Sequence, residues 1–482
     1  MLTLSKIYPA FLLLSMAIIF PYNLTAQDPP FTVKADLFDE NDPDSLGLEV
    51  ADGTETFTVF APVDTTDKFS NGVVMTVFKG WLYCMWQSSA QDEDAADTWV
   101  AYSRSLDGIE WTEPMVLAPS LENGYCSSGG WWSTSDTLVA YINTWPSEVT
   151  PRGGYTRYAT STDGMNWSEI KALTLTGGDT LKGIFEQDPH ALPDGRIINA
   201  AHFQPGLVIN PIYTDDPTGI RNWVKADFTS LTPNEDISRE IEPSWFRKED
   251  GTVVMTFRDQ DGTFKRLAAT SSDRGESWSS AVLTDMPDSR SKQSAGNLGD
   301  TTAFMVGNPV NYKTRIPLAI TLSKDGDFFN TAYLLRAGGA GIQELRYDGT
   351  AKRLGYHYPK SMQYNNFLYV SYAVNKEDVQ YTRVPLQSLV PEKVENPDTT
   401  SVRLVELKAR VFVDQARNIR IQSTGLDPNG KVNVYNITGR RLISLDIITP
   451  DISIDMGNYP TASYIVEIRN AQGHSAKLVY LW

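Results

Sequence analysis

The chain predicts an all-β protein: a β-propeller of six blades, or of seven if one further strand closes the ring, followed by a small β-sandwich. Three observations lead there. A short turn motif recurs along the first 390 residues, short alternating strands fill the intervals between its copies, and the composition changes after Leu389. In the fullest copy, Ser271 to Trp278, Ser271 and Asp273 can bond the backbone, Gly275 can take positive φ, and Trp278 can plug the layer beneath. Shorter copies are SLDGIEW (Ser105 to Trp111), STDGMNW (Ser161 to Trp167) and SKDGDFF (Ser323 to Phe329), and a degenerate one from Thr214 to Trp223 carries an insertion. Their starts fall roughly 50 to 60 residues apart, an interval that signals an array of supersecondary units.

The S-x-D-x-G-x-x-W spelling, complete at 271–278 and one residue shorter at 105, 161 and 323, resembles the Asp-box of the sialidase superfamily. The resemblance implies the propeller. It says less about the reaction, because such boxes lie on outer turns and one fold hosts many chemistries.

In chain order, residues 1–26 hold Lys6, the apolar run Ala10 to Phe20 and a small residue at Ala26, the layout of a secretory signal peptide. Export is therefore expected, to the cell surface or beyond. No other apolar run approaches membrane length, so no membrane span is expected. Cys84 and Cys126 are too few for a disulfide framework; a single bridge and two buried thiols are equally open, and neither looks catalytic. A net charge of −17 excludes nucleic acid as a partner but leaves room for a basic cleft that takes an acidic sugar polymer.

Residues 27–389 read as the propeller. Each blade should show an inner strand, a turn, a second strand and a third that runs into the box, as in Glu242 to Arg247, TVVMTFRD (252–259) and FKRLAATSS (264–272). Six such units are found between 73 and 386, and TETFTVFAP (54–62) is the strand that would make a seventh or close the ring. Residues 390–402, polar with two prolines, read as a linker. Residues 403–482 read as the sandwich, and VNVYNITGRRLISL (432–445), DMGNYPTASYIVEIRN (455–470) and KLVYLW resemble the C-terminal sorting domain of proteins exported by the type IX system of Bacteroidetes. PTASY departs from that family, which usually has glycine before its tyrosine. The resemblance implies the type IX secretion machinery as a partner.

A propeller places its chemistry where inner strands begin and second strands end, around one mouth of the central shaft. Polar residues concentrate at those positions. Catalytic candidates are Glu242, Tyr358, His190, His202 and Arg258; substrate-binding candidates are Asp188, Glu240, Arg290, Gln293, His357, Lys360 and Asn308. Two chemistries suit these residue types. Glycoside hydrolysis needs a proton donor and a nucleophile or base, which Glu242, Glu240 or Asp188 can supply, and sialidase-like enzymes use a tyrosine nucleophile. β-Elimination on a uronate polysaccharide such as ulvan needs a cation on the carboxylate and a His or Tyr base, which Arg258 or Arg290 with His190 or His202 and Tyr358 can supply. The only R-I-P, Arg315 to Pro317, lies beside a late box rather than in the first blade, and reads as structural. A third expectation, a non-catalytic surface lectin, would use Trp131, Trp132 and Trp145 as exposed stacking platforms. All three expect a polysaccharide or oligosaccharide ligand. No metal or cofactor motif is present, and QDEDAAD (91–97) reads as a solvated loop.

Overall fold

Each copy of the turn motif closes on itself. In the fullest, Ser271 Oγ donates to Asp273 (2.8 Å) and accepts the Gly275 N–H (2.8 Å), Asp273 accepts the Ser277 N–H (2.9 Å), and Trp278 Nε1 donates to the Gly275 carbonyl (3.1 Å). The turn at Ser105 repeats this pattern, with Trp111 Nε1 on the Gly108 carbonyl at 2.9 Å. Its glycine is also a junction between sheets: the Tyr381 hydroxyl, from a strand far along the chain, donates to the same carbonyl at 2.7 Å.

The computed structural model describes residues 28–231, 236–299, 301–392, 409–423, 430–436, 441–446, 449, 451–470 and 473–482. The leader-like residues 1–26 and residues 393–402 of the expected linker lie outside them. The chain divides into two compact units, residues 1–393 and 394–482.

In the first unit, each turn motif ends the third strand of an antiparallel sheet. The first sheet is Phe69–Phe78, Trp81–Ser89, Trp99–Ser105 and Met115–Ala118, and the second is Gly124–Ser133, Leu138–Pro146, Tyr155–Ser161 and Lys171–Ala172. The third has a broken inner strand, Gly183–Phe185 and His190–Ala191, followed by Ile197–Phe203, Val208–Thr214 and Val224–Lys225. The fourth is Glu240–Arg247, Val253–Asp259, Lys265–Ser271 and Val282–Pro287. The fifth is Ser294–Leu298, Thr302–Gly307, Leu318–Ser323 and Thr331–Arg336. The sixth is Tyr356–Tyr364, Phe367–Val374 and Asp378–Pro385, with Glu55–Phe60 added antiparallel on its outside, Glu55 opposite Arg383. The strand that sequence alone left open thus joins the last sheet. Inner strands of successive sheets pack against one another, and that of the sixth returns to the first.

Apolar clusters fill the seams. Val74, Met85, Trp131 and Ile142 pack between the first two sheets, and Val73, Trp86, Tyr369 and Tyr381 between the first and sixth. Each such side chain contributes about 1.5–3 kcal/mol by leaving water. Cys84 and Cys126 are buried in these two seams as free thiols, which resolves the choice left open above.

The second unit has two sheets: Ala409–Val413, Asn418–Ser423 and Asp451–Asp455; and Arg441–Asp446, Lys431–Asn436, Ala462–Asn470 and Gly473–Leu481. Ile419, Ile454 and Met456 share one core with Val432, Tyr464 and Leu481. Among the described residues no helix is long and apolar enough to cross a membrane.

Candidate active site

Among the described residues four inner strands break register, one at Gly129 and three in another, shared pattern. In those three the shifts fall between Asn71 and Val74, between Ile241 and Ser244, and between His357 and Lys360. In each, a pair of residues bulges out: Gly72–Val73, Glu242–Pro243 and Tyr358–Pro359. The first of each pair sits in the left-handed region, with φ of 61°, 54° and 53°. Glycine tolerates this, whereas Glu and Tyr cost about 1–3 kcal/mol each. Proline fits here because a bulge has no ladder bond for it to lose.

Glu242 and Tyr358 line one pocket of about 270 Å³ with Asn71, Glu93, Asp94, Trp145, Arg152, Glu186, His202 and Lys292. Arg258 Nη1 donates to Glu242 Oε2 at 3.1 Å. The Tyr358 ring is faced by three cations: Lys292 Nζ at 5.1 Å, Lys376 Nζ at 5.6 Å and the Arg315 guanidinium at 5.9 Å. Burial and the charges of Glu242 and Glu93 raise the phenol pKa, against Arg315 and Arg258, which lower it. The phenol therefore holds its proton at neutral pH. Arg315 donates to the Ser289 carbonyl at 3.2 Å, and burial opposes its charge. The Nε atoms of Arg258, Arg290 and Arg315 are buried without a partner.

Deeper in, Lys292 donates to the Glu186 carbonyl (2.9 Å) and carboxylate (2.5 Å). Burial would raise the Glu186 pKa, but the charge and hydrogen bond of Lys292 outweigh it and bring it to about 2. His202 is fully enclosed, burial lowers its pKa, and neither ring nitrogen has a partner. Burial, with Lys292 nearby, brings Lys360 down to about 8. At the mouth, Glu93 accepts from Lys376 (2.6 Å) and Asn71 (3.2 Å), while the exposed Asp94 pairs with Arg152 at 2.7 Å.

The structure thus brings together Glu242, Tyr358, His202 and Arg258, with Lys360, His357 and Arg290 around them. His357 Nε2 lies 3.0 Å from the Arg353 carbonyl, and burial holds the ring neutral. Arg290 donates to the carbonyl of Gln260, a pocket residue, at 2.7 Å. The other candidates lie elsewhere. His190 lines a separate cavity of about 340 Å³ with Trp245, Arg247 and Gln363. The reason is that its inner strand begins at Gly183, so His190 stands at the far end, 3.8 Å from Asp188. Asp188 packs against Gly130, where an added Cβ would come within 2.7 Å of its side chain. Glu240 accepts the Leu231 N–H at 2.7 and 3.0 Å, and burial raises its pKa to about 7. Gln293 donates to the Thr256 hydroxyl and Asn308 to the Pro317 carbonyl.

Arg315, read as structural, gains a contact, its guanidinium lying over Tyr358. One expectation needs correction: of the three tryptophans expected as exposed platforms, Trp131 and Trp145 are buried, Trp145 within the pocket wall, and only Trp132 is half-buried, donating to the Pro217 carbonyl at 2.9 Å. Sequence reasoning also passed over Glu93 and Asp94, taken for a solvated loop, and Lys376. The signal it could have used was the pair of X-Pro bulges, Glu242–Pro243 and Tyr358–Pro359. Among the described residues no cluster of three His, Cys, Asp or Glu is placed to hold a metal.

A ring of antiparallel sheets in which each turn motif ends a third strand is a β-propeller. The model of the BNR repeat-like domain matches residues 80–370, and the chain belongs to that family. Among solved structures it is similar to a protein of unknown function from Dyadobacter fermentans (TM-score 0.54, 15% identity, covering 69% of this chain and 99% of that one). It is also similar to Trypanosoma rangeli sialidase bound to 2,3-difluorosialic acid as a covalent intermediate (0.53, 11%, 90% of both chains). A further sialidase covers 94% of this chain and 49% of its own (0.51, 16%). At these identities the likeness shows the fold. No curated protein matched the chain.

Proposed function

We propose that this protein is an exported, sialidase-like glycoside hydrolase that cleaves a glycosidic bond next to an acidic sugar in an extracellular glycan. The observation that carries the reading is the placement of Tyr358 and Glu242 on equivalent strained bulges that line one pocket, with Arg258 paired to Glu242 and Arg315 over the Tyr358 ring. Arg258 and Arg315 hold the sugar's carboxylate. Glu242 takes the phenol proton as the Tyr358 oxygen attacks the anomeric carbon, and the bond to the leaving oxygen breaks. Asp94, exposed at the mouth, supplies the proton that the leaving oxygen needs. Water then enters along the same path and releases the sugar with its configuration retained.

A second reading, β-elimination on a uronate polymer, is favoured by one observation: His202 is neutral and unpartnered in the same pocket. One experiment separates the two. Purified protein acts on a panel of acidic glycans while reducing ends and absorbance near 235 nm are followed together. Reducing ends without absorbance are expected. A rise in both would replace hydrolysis by elimination, and binding without product would leave a lectin.

Export rests on residues 1–26, and sorting by the type IX machinery on residues 403–482. A chain truncated at 402 should then accumulate inside the cell envelope of its native host; normal delivery would end the sorting proposal.

A further inference from the structure

Residues 90–98 join Trp81–Ser89 to Trp99–Ser105 in the first sheet, and Glu93 and Asp94 of this loop line the pocket. The loop is closed by its own bonds: Asp97 accepts the Ala90 N–H at 3.0 Å, Ser89 Oγ donates to the Asp92 carbonyl at 2.6 Å, and the Thr98 N–H donates to the Ala95 carbonyl at 2.9 Å. On one side Asp92 accepts the Thr350 N–H at 2.6 Å. On the pocket side the anchor is Glu93, which accepts from Lys376 Nζ at 2.6 Å and from Asn71 Nδ2 at 3.2 Å. Lys376 is 2% exposed, and its backbone is fixed as well, because its carbonyl accepts the N–H of Ser70, the neighbour of Asn71, at 2.9 Å. An ion pair whose ammonium is buried keeps one geometry, unlike a pair between two exposed, mobile side chains. Asp94, the next residue, is exposed, takes φ 59° and meets Arg152 of the second sheet at 2.7 Å. Glu93 and Asp94 are one peptide apart, so whatever fixes the first limits where the second can stand.

We propose that Lys376 is a positioning residue for the proton donor: through Glu93 it holds the loop so that Asp94 stands where the leaving oxygen departs. Asp94 gives its proton to that oxygen as the bond from the anomeric carbon breaks, and is left as the carboxylate. A donor misplaced by about 1 Å costs about 10²-fold. This rests on the hydrolase reading above and deepens it by naming what holds the acid. Lys376 Nζ also stands 5.6 Å from the Tyr358 ring, so its charge acts on the phenol too. The two effects are separable. Help for the phenol counts with every leaving group, whereas help for the acid counts only when the leaving oxygen is too basic to depart without a proton.

The test compares two substrates with the same acidic sugar, one linked to a second sugar and one to 4-nitrophenol, whose oxygen leaves as the phenolate without a proton. The readout is the ratio of kcat/KM on the sugar-linked substrate to kcat/KM on the nitrophenyl one. In Lys376→Met this ratio should fall by about tenfold or more, while any loss through the phenol cancels. Glu93→Ala should lower it as far, and the double variant no further, because the two residues act as one unit. Lys376→Arg, which meets the same backbone and keeps the ion pair, should retain most of the ratio. Glu93→Gln, which keeps the side chain's shape and loses the ion pair, should also lower it, and carries the test if either truncation fails to fold. A ratio unchanged in these variants, or losses that multiply in the double variant, overturns the assignment. If wild type cleaves neither substrate, the hydrolase reading fails, and the tether is read by hydrogen exchange across residues 90–98. Faster exchange in Lys376→Met but not in Lys376→Arg then supports it; equal exchange in all three proteins overturns it.

Discussion

Replacing Tyr358 by Phe removes one oxygen and little else. The ring remains beneath Lys292, Lys376 and Arg315, so its packing and its contacts with those charges persist. The Pro359 bulge is unaltered, and Phe meets the same backbone strain at φ 53°. Thermal stability should therefore stay within about 2 °C of wild type, the shift of well under 1 kcal/mol in a chain of this size. Activity should not. Without the phenol, Glu242 has only water to activate, and the three cations have no developing phenolate to stabilise. Positioned proton transfer alone is worth about 10²–10⁴-fold, and the nucleophile depends on it, so kcat should fall by about 10³ or more, roughly 4 kcal/mol at 1.36 kcal/mol per decade. A fluorinated, activated derivative of the acidic sugar provides the companion assay. In wild type it should add its mass to the peptide containing Tyr358, and in Tyr358→Phe to none. A variant that keeps more than about a tenth of wild-type kcat, or a label found on Glu242 or Asp188, would refute the assignment.

Arg315→Lys should lower kcat/KM by about 10–100-fold while leaving the fold intact, because an ammonium cannot replace a planar guanidinium on a carboxylate; wild-type kinetics would restore Arg315 to a packing role. Glu240 supplies a pH prediction. Its native pKa of about 7 exceeds the ordinary 4.5, so the folded state binds the proton more tightly and stability is lost as pH rises from about 4.5 to about 7. That shift corresponds to at most roughly 3 kcal/mol. Glu240→Gln, a neutral isostere, should flatten this part of the melting-temperature profile relative to wild type, and parallel profiles would count against the buried carboxyl. Gly164→Ala should destabilise far more than Gly177→Ala. Both have positive φ, of 71° and 97°, but a Cβ at Gly164 would overlap the Tyr83 hydroxyl, whereas at Gly177 it meets nothing. About 1 kcal/mol is expected at Gly177 and several at Gly164, and equal melting temperatures would contradict that.

The turns were legible because their bonds are local. Ser105, Asp107, Gly108 and Trp111 satisfy one another within seven residues, so spelling alone reports the geometry. Strand order followed from the interval between turns. Glu242, Tyr358, His202 and Arg258 were reached by position within a blade, which holds while each inner strand starts where the pattern says. It failed for His190, whose strand is interrupted after Phe185. The Arg315 contact was out of reach for a different reason. Its partner Tyr358 is 43 residues away, on another sheet, and no local pattern reports a contact across the mouth of a ring. The acidic loop at 91–97 was missed likewise: Glu93 is tied to Lys376 of the sixth sheet, 283 residues away.

The repetition that makes the fold legible also explains how a site is built on it. Three sheets carry the same bulge, and the residue that occupies it differs from sheet to sheet. In the first sheet it is Gly72, where the place a Cβ would take is filled by Ser128 Oγ of the neighbouring sheet. In the fourth and sixth it is Glu242 and Tyr358, held in a conformation that their side chains oppose. The cost, about 1–3 kcal/mol at each, is local, and seams of buried aromatic side chains on both sides of each sheet offset it. The bulge sets two groups, a carboxylate and a phenol, at equivalent positions of their strands, where both line the one pocket.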